Sequence, residues 1–516
     1  MAIKPIFDTL CIRADWGASI GIGHVMRCLA IAQAWQDRGG RVLLVSTSDA
    51  PSVLERLSLE NIEVHRISSP IGENEDALQT IQIAKAAGCS WVVVDGYLFG
   101  PEFHLGIQQS GLRLLSIDDL ADLEFYGCDV VLNPNFYALP SLYEGKTDGL
   151  AHLLVGTRYA LLRREFLEIQ RGALPSVKAR VERLLLTLGG ADPQNATRLL
   201  MEIFAKREMS CRMKITIVVG SANPHISSLE AVVPALEQKH DVELVVNPSN
   251  MPELIRRSDF AISAAGGSAL ELACLGTPMA LVIAADNQRG VAASFESAGV
   301  ALLLGDPQKL LRPDRLEELF EVFGDVEKRA QMQSRGRAIV DGQGAGRAVE
   351  RLAAYPLQLR PAESEDARLL YEWANDPVAR QMSFSSEPIP WEGHIAWFEK
   401  RLQSSDCRLR IGLNKEGKPA GQVRLERSEG TAVLSLSIDP AERGKGHGPK
   451  LARLAAVEAL ADGWCEEVHA WVKPENGASM NTFRKAEFVE MGIQKEHPNQ
   501  AVLFVLRTEC LGSARS

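Results

Sequence analysis

The stretch RADWGASIGIGHVMRCLAIA, residues 13–32, carries the end of an apolar strand (TLCIRAD, 9–15) through a glycine-rich turn into a helix. Gly21 and Gly23 bracket one isoleucine, and His24 and Arg27 follow three residues apart. Glycines at such a turn let backbone N–H groups approach a ligand closely, and the helix dipole favours an anion there. They serve equally to shape a tight turn. A dinucleotide-binding fingerprint requires a third glycine where Met26 stands, and an acidic residue ~20 positions on. The next strand, RVLLVST, instead runs into Ser46, Thr47 and Ser48, which excludes a nicotinamide site. No GxxxxGK[ST] occurs, which excludes a P-loop. A histidine at a helix N-terminus sits where positive charge is disfavoured. A neutral imidazole acting as a base toward water suits that place; a purely structural histidine is the alternative.

Outward from this stretch, the helix is predicted from about His24, with Val25, Cys28, Leu29, Ala32 and Trp35 on one face and Gly39 and Gly40 closing it. WVVVDGY (91–97) and LRLLSIDD (112–119) are short apolar runs ending in polar groups, as buried parallel strands do. RLLLTLGG (183–190), MKITIVVG (213–220), DVELVVN (241–247), FAISAAGG (260–267) and PMALVIAAD (278–286) repeat the pattern. Two α/β halves, split near residue 170, are expected. After Ala354 the character changes. LQLRPAESEDARLLYEWANDP opens an α+β unit, in which AVLSLSID sets Leu434, Leu436 and Ile438 against Ser435 and Ser437. VHAWV does the same with Val468, Ala470 and Val472, and YPLQ is the linker. The expected domains are 1–169, 170–354 and 357–510, in keeping with 516 residues at roughly 150 per domain.

Apolar content of 46%, charged content of 24% and a net charge of −10 describe a globular chain with no electrostatic footprint for nucleic acid or an anionic membrane. Nine cysteines without a CxxC pair read as reduced thiols rather than disulfides or a zinc site. No apolar run approaches the ~18 residues of a membrane span, and the N-terminus lacks a signal-peptide core. A cytoplasmic location is expected.

RADWGASIGIGHVMRCLAIA resembles the amino-terminal signature of the UDP-sugar hydrolases of pseudaminic acid biosynthesis. VVVDGY, VGTRYALLRREF, TLGGADPQNAT, ISAAGGSALELACLGTP and ADNQ resemble, in order, further segments of that family over roughly residues 1–350. The resemblance implies two Rossmann-like lobes in the GT-B arrangement, no metal, and inverting hydrolysis of UDP-2,4-diacetamido-2,4,6-trideoxy-β-L-altropyranose. It implies that His24 is the base, that Gly21 and Gly23 line the substrate, and that Gly266, Gly267 and Ser268 receive the diphosphate. Glu271 is implied on the ribose, with Gly190, Asn287 and Gln288 in the family's other turns. Asp15, Arg27, Tyr97, Arg163, Asp192 and Asn195 either contact sugar or phosphate or serve as caps and surface pairs. UDP leaves readily, so donors on the pyrophosphate make a general acid dispensable.

The last unit has its own loop, SIDPAERGKGHGPKLARLAAVEAL, in which Arg443, Gly446 and Gly448 fit [QR]xxGx[GA] ahead of a helix. This resembles the pyrophosphate-binding motif of GNAT acetyltransferases, and NGASMNTFRKAEFVEMG and WANDP are similar to further elements of that family. The resemblance implies acetyl-CoA held by Arg443, Gly444, Gly446, Gly448, Asn476 and Ser479, with a UDP-activated amino sugar as acceptor. Two departures stand out: Phe483 replaces the usual general-acid tyrosine, and Glu487 replaces a glycine. Glu372, Glu387 and His394 are candidate bases, each with a structural role as the alternative. Three rival functions stay open for the first module: glycosyl transfer to another acceptor, nucleotide-sugar binding without turnover, or the same chemistry on another stereoisomer.

Overall fold

The computed structural model describes residues 8–507, apart from 18–19, 148–150, 173, 191, 221–222, 308–312, 356, 415–416 and 495–499. It divides into two compact units, Met1–Val349 and Glu350–Ser516, with the division inside the helix Gly344–Ala354.

Apolar runs flanked by glycine turns make the first unit two parallel sheets. The first sheet uses β1 (Thr9–Ala14), β2 (Arg41–Ser46), β3 (Glu63–Arg66), β4 (Trp91–Asp95), β5 (Arg113–Ile117), β6 (Val130–Asn133) and β7 (His152–Val155). Their spatial order is 3-2-1-4-5-6-7. The second uses β8 (Arg183–Thr187), β9 (Lys214–Val219), β10 (Asp241–Val246), β11 (Phe260–Ala264), β12 (Met279–Val282) and β13 (Ala301–Gly305), in the order 10-9-8-11-12-13. Both are Rossmann-like orders. Each reverses direction beside its first strand, between β1 and β4 and between β8 and β11, where the crevice for a ligand opens at the strands' carboxyl ends. Arg13 pairs with Val45 on one side and Val94 on the other, so Asp95 lies beside Ala14 and Asp15 emerges one residue further along, on the opposite face.

The helix after β1 spans Gly23–Gln36 and differs from expectation in being buried nearly all round. Ala30, Ile31 and Gln33 are covered as well as the predicted face, because the interlobe helix Arg164–Gln170 packs against it. There Gln33 accepts from the Arg164 amide at 2.7 Å and donates to Glu165 at 3.2 Å.

In the second unit, strands β14 (Gln358–Pro361), β15 (Cys407–Leu413), β16 (Pro419–Ser428), β17 (Thr431–Ile438), β18 (Glu467–Val472), β19 (Val489–Ile493) and β20 (Val502–Arg507) form one mixed sheet, ordered 14-15-16-17-18-20-19. The alternation read in β17 and β18 holds: Ala432, Leu434, Val468, Ala470 and Val472 are buried in one cluster with Leu451, Ala455 and Val457 of the helix His447–Ala461. β14 to β17 are antiparallel neighbours, with hairpins joining β15, β16 and β17, whereas β17 and β18 are parallel and pair only over Thr431–Val433 with Glu467–His469. Beyond that point the two strands part.

The eight described cysteines are free thiols; Cys510 lies outside the described residues. No helix among the described residues is long and apolar enough to cross a membrane.

Candidate active sites

At the β1–β4 crevice, Gly21 adopts φ +77°, and Gly17 and Gly21 exchange backbone hydrogen bonds that fold the turn. Ile22 then starts the helix Gly23–Gln36 without a side-chain cap, so the first amides remain for a ligand. His24, only 7% exposed, sits at the second helical position with its ring edge-on to Tyr97, centroids 4.9 Å apart. Burial pushes its imidazole below the ordinary 6.5, against the pull of Asp95 and with the help of Arg27. The ring is therefore neutral near pH 7, as a base at this place must be. Among the described residues no side-chain hydrogen bond engages it. Gly96 is required beside it: a Cβ there would stand 2.8 Å from the Phe99 ring and 3.8 Å from His24 Nδ1.

Beneath His24 runs a connected set of charges. Arg27 donates to both oxygens of buried Asp95, at 2.5 and 2.7 Å, and to Asp119 at 3.1 Å. Burial opposes the charge on Arg27, but Asp95 and Asp119 overcome it and its pKa is raised. Tyr97 donates to Asp119 at 3.0 Å and accepts from Asn287 Nδ2 of the second lobe at 2.8 Å. Asp15 is wholly engaged within its own lobe. It pairs with Arg13 at 2.6 Å and accepts from Ser46, the Thr47 amide and the Thr47 hydroxyl.

In the second lobe the helix Gly267–Leu275 also begins without a side-chain cap, at Gly266, which places Gly267 and Ser268 in its first turn. Gln288 accepts from the Ala284 amide at 2.9 Å, and its Nε2 lies 3.7 Å from where a Cβ on Gly266 would stand. Glu271, one turn along, takes Arg163 of the interlobe segment at 3.2 Å; burial raises its carboxyl pKa while Arg163 opposes the rise. Gly190 packs against Gly220, where a Cβ would meet Gly190 Cα at 2.7 Å. Asp192 caps the helix Ala196–Lys206 through the Ala196 and Thr197 amides, at 2.9 and 2.8 Å. Asn195, at φ +51°, donates to Ser228, and among the described residues its buried Oδ1 has no hydrogen-bond partner. The predicted residues thus fall into three groups. His24, Arg27 and Tyr97 gather with Asn287, and Gly266 with Gln288. Asp15 and Asp192 bear loads internal to their lobes.

In the second unit, Gly444 and Gly446 have φ of +79° and +81°, and a Cβ at either would point into open space. Gly446 starts the helix His447–Ala461 with no side-chain cap. Positive-φ glycines ahead of an uncapped helix form a nest of N–H groups suited to a diphosphate. The parting of β17 from β18 beside this loop leaves room for an extended chain. Gly448 has a different duty: it is buried, and a Cβ there would stand 3.3 Å from Thr482. Arg443 pairs with Asp376 at 2.5 Å, and Asn476 caps the helix Gly477–Lys485 through the Ser479 amide at 3.0 Å. Phe483 lies in the core against Phe488 and Phe504. Among the candidate bases, His394 is 2% exposed, bound by Nε2 to the Ala367 carbonyl and stacked on Phe398. Glu372 is exposed and tied to Arg368 at 2.9 Å, and Glu387 is exposed.

Residues 184–342 match the glycosyltransferase family 28 C-terminal domain, and residues 357–489 match the acetyltransferase (GNAT) domain. The chain is a GT-B-like pair of lobes followed by a GNAT domain. Acetyl-CoA is the cosubstrate of that domain, and the nest at Gly444 and Gly446 fits its diphosphate. The chain is 24% identical over 290 residues to UDP-2,4-diacetamido-2,4,6-trideoxy-beta-L-altropyranose hydrolase of Campylobacter jejuni, covering 56% of this chain and 96% of that protein. It is 24% identical over 345 residues to the spore coat polysaccharide biosynthesis protein SpsG of Bacillus subtilis (64% and 94% covered). An uncharacterized protein of Methanocaldococcus jannaschii, MJ1062, is 21% identical over 427 residues (81% and 83%). That match is longer than the whole first unit, so it extends into the second. Among solved structures, MurG of Acinetobacter baumannii aligns with 67% of this chain and 99% of its own, at 17% identity and a TM-score of 0.47.

Sequence reasoning missed Asp95 and Asp119 as partners of Arg27, although both were visible as acidic residues ending apolar strands. Among the described residues no group of three or more His, Cys, Asp or Glu is placed to hold a metal.

Proposed function

We propose that the chain carries out two consecutive steps on one UDP-activated amino sugar. The GNAT domain acetylates the 4-amino group, and the GT-B-like module then hydrolyses UDP-2,4-diacetamido-2,4,6-trideoxy-β-L-altropyranose with inversion. In the second step His24 takes a proton from water as its oxygen bonds to the anomeric carbon, the bond from that carbon to the diphosphate oxygen breaks, and UDP departs. The observation that carries this reading is a buried imidazole with a depressed pKa, free of side-chain hydrogen bonds among the described residues, at an uncapped helix N-terminus. The uncapped turn at Gly266–Ser268 supports a diphosphate on the second lobe, and Glu271 a ribose. Likeness to the Campylobacter hydrolase supports the substrate class, and unpaired thiols support a cytoplasmic location.

The test is to incubate the purified chain with the UDP-diacetamido sugar and no acceptor. Release of UDP and of the inverted free sugar, followed by proton NMR, is expected. Release only on adding an acceptor would mark a glycosyltransferase, and binding without release a nucleotide-sugar binder. Defined stereoisomers run in parallel distinguish the altro sugar from its relatives.

A further inference from the structure

Of the three acetyl-transfer bases considered from sequence, His394 is spent on packing, Glu372 on a surface pair, and Glu387 is exposed, yet the acceptor amine reaches the domain as an ammonium and must lose a proton. The last pair before β17 and β18 part is Val433 with His469. Along β18, Val468, Ala470 and Val472 face the helix His447–Ala461, so His469 stands on the opposite face of the sheet, at the fork. Its Nε2 is held by Glu467 Oε2 at 2.8 Å, and its side chain remains 21% exposed. Among the described residues Nδ1 has no hydrogen-bond partner.

A second observation points to a polar ligand on that face. Register puts Glu426 opposite Val433, Arg424 opposite Ser435 and Gln422 opposite Ser437, all on the same side as His469. Arg424 donates to Ser435 and its Nε lies 3.2 Å from Glu426 Oε2, whereas among the described residues the buried Oε1 of Gln422 has no hydrogen-bond partner. Buried polar atoms are normally satisfied, so the orphaned Oε1 of Gln422 marks where a ligand supplies the missing bond.

We propose that His469 is the general base of the acetyl transfer, oriented by Glu467. The inference rests on the acetyltransferase reading above. The ammonium gives one proton to Nδ1, the amine nitrogen bonds to the acetyl carbonyl carbon, the carbon–sulfur bond breaks, and the thiolate leaves with the second proton the nitrogen sheds. A histidine held through one nitrogen by a carboxylate is set up for this. The charged groups on its face are Glu467, Arg507 (2.6 Å from Glu467), Glu426, Arg424 and, from the helix Trp391–Leu402, Arg401, which is 2.6 Å from Glu426.

The test uses the full chain. His469→Gln and His469→Asn should each lower kcat for acetylation of the UDP-4-amino sugar by ~10²–10⁴-fold and abolish the acidic limb of its pH profile. Acetyl-CoA affinity by calorimetry, the thermal midpoint and UDP release by the first unit should stay unchanged. Glu467→Gln weakens the hold on Nε2, so kcat for acetylation should fall while acetyl-CoA affinity and the thermal midpoint stay unchanged. Glu372→Gln serves as the neutral control. Wild-type acetylation tests the functional reading separately. Folded His469 variants within threefold of wild type, or a folded Glu467→Gln variant with wild-type kcat, would overturn the assignment.

Discussion

Arg27 holds two carboxylates with one guanidinium, and one of them, Asp95, has a fully buried side chain. Removing a partner from a buried pair leaves an uncompensated charge and costs roughly 3–5 kcal/mol. Arg27→Met should therefore lower unfolding stability by about 3 kcal/mol in urea titration; an unchanged midpoint would make Arg27 a ligand contact alone. His24 is the opposite kind of residue, free of side-chain bonds. His24→Ala should cut UDP release ~10²–10⁴-fold and leave UDP affinity within a few fold. Because burial depresses its pKa, the acidic limb of hydrolysis should lie below pH 6.5. The sign for stability follows: the unfolded imidazole takes a proton first, so the contribution of neutral His24 is present above 6.5 and is lost as pH falls toward the folded value. Both residues stood out in the sequence, but their division of labour did not. Asp95 lies 68 positions from Arg27 and is brought to it only by β4 pairing with β1.

Elements with strong local patterns were readable. Nine apolar runs predicted in the first unit are strands within a few residues of their observed ends. Those left out, β3, β6, β7 and β13, are four or five residues long, and EVHR of β3 is a half-exposed edge with no apolar signature. The glycine loop of the GNAT domain was legible as a motif, while the distinct duties of its glycines needed backbone angles. Gly446 occupies the left-handed region, where a side chain costs roughly 1–2 kcal/mol. Gly446→Val should weaken acetyl-CoA binding in calorimetry while UDP release continues. Gly448→Val should impair acetylation by a different route, pressing on Thr482 and lowering the thermal midpoint. Glu487 is the reverse case, a non-glycine residue at φ +60° that pairs with Arg453 at 2.7 Å. Relief of left-handed strain outweighs an ion pair whose carboxylate is 43% exposed and whose Arg453 is also held by Glu350, so Glu487→Gly should raise stability by about 1 kcal/mol in thermal or urea unfolding.

For the whole molecule, the meaning of the fusion lies in the order of its two reactions. The pairing of modules was apparent from two unrelated glycine loops separated by a change in strand pattern. The base proposed for the second module was not, because His469 is singled out by a strand fork, a register and the orphaned Oε1 of Gln422 rather than by any local motif. On the proposed function, a pocket that accepts two acetamido groups would lose apolar contact and face an unpaired ammonium when the 4-acetyl group is absent. Burying that charge costs several kcal/mol, more than the ~1–3 kcal/mol of a missing methylene, so discrimination against the unacetylated sugar should be large. The decisive measurement is UDP release from the UDP-4-amino sugar with and without acetyl-CoA, using Gly446→Val to separate acetylation from hydrolysis. Little release without acetyl-CoA, full release with it, and loss of that response in Gly446→Val are expected; equal release in both conditions would contradict the coupling of the two steps.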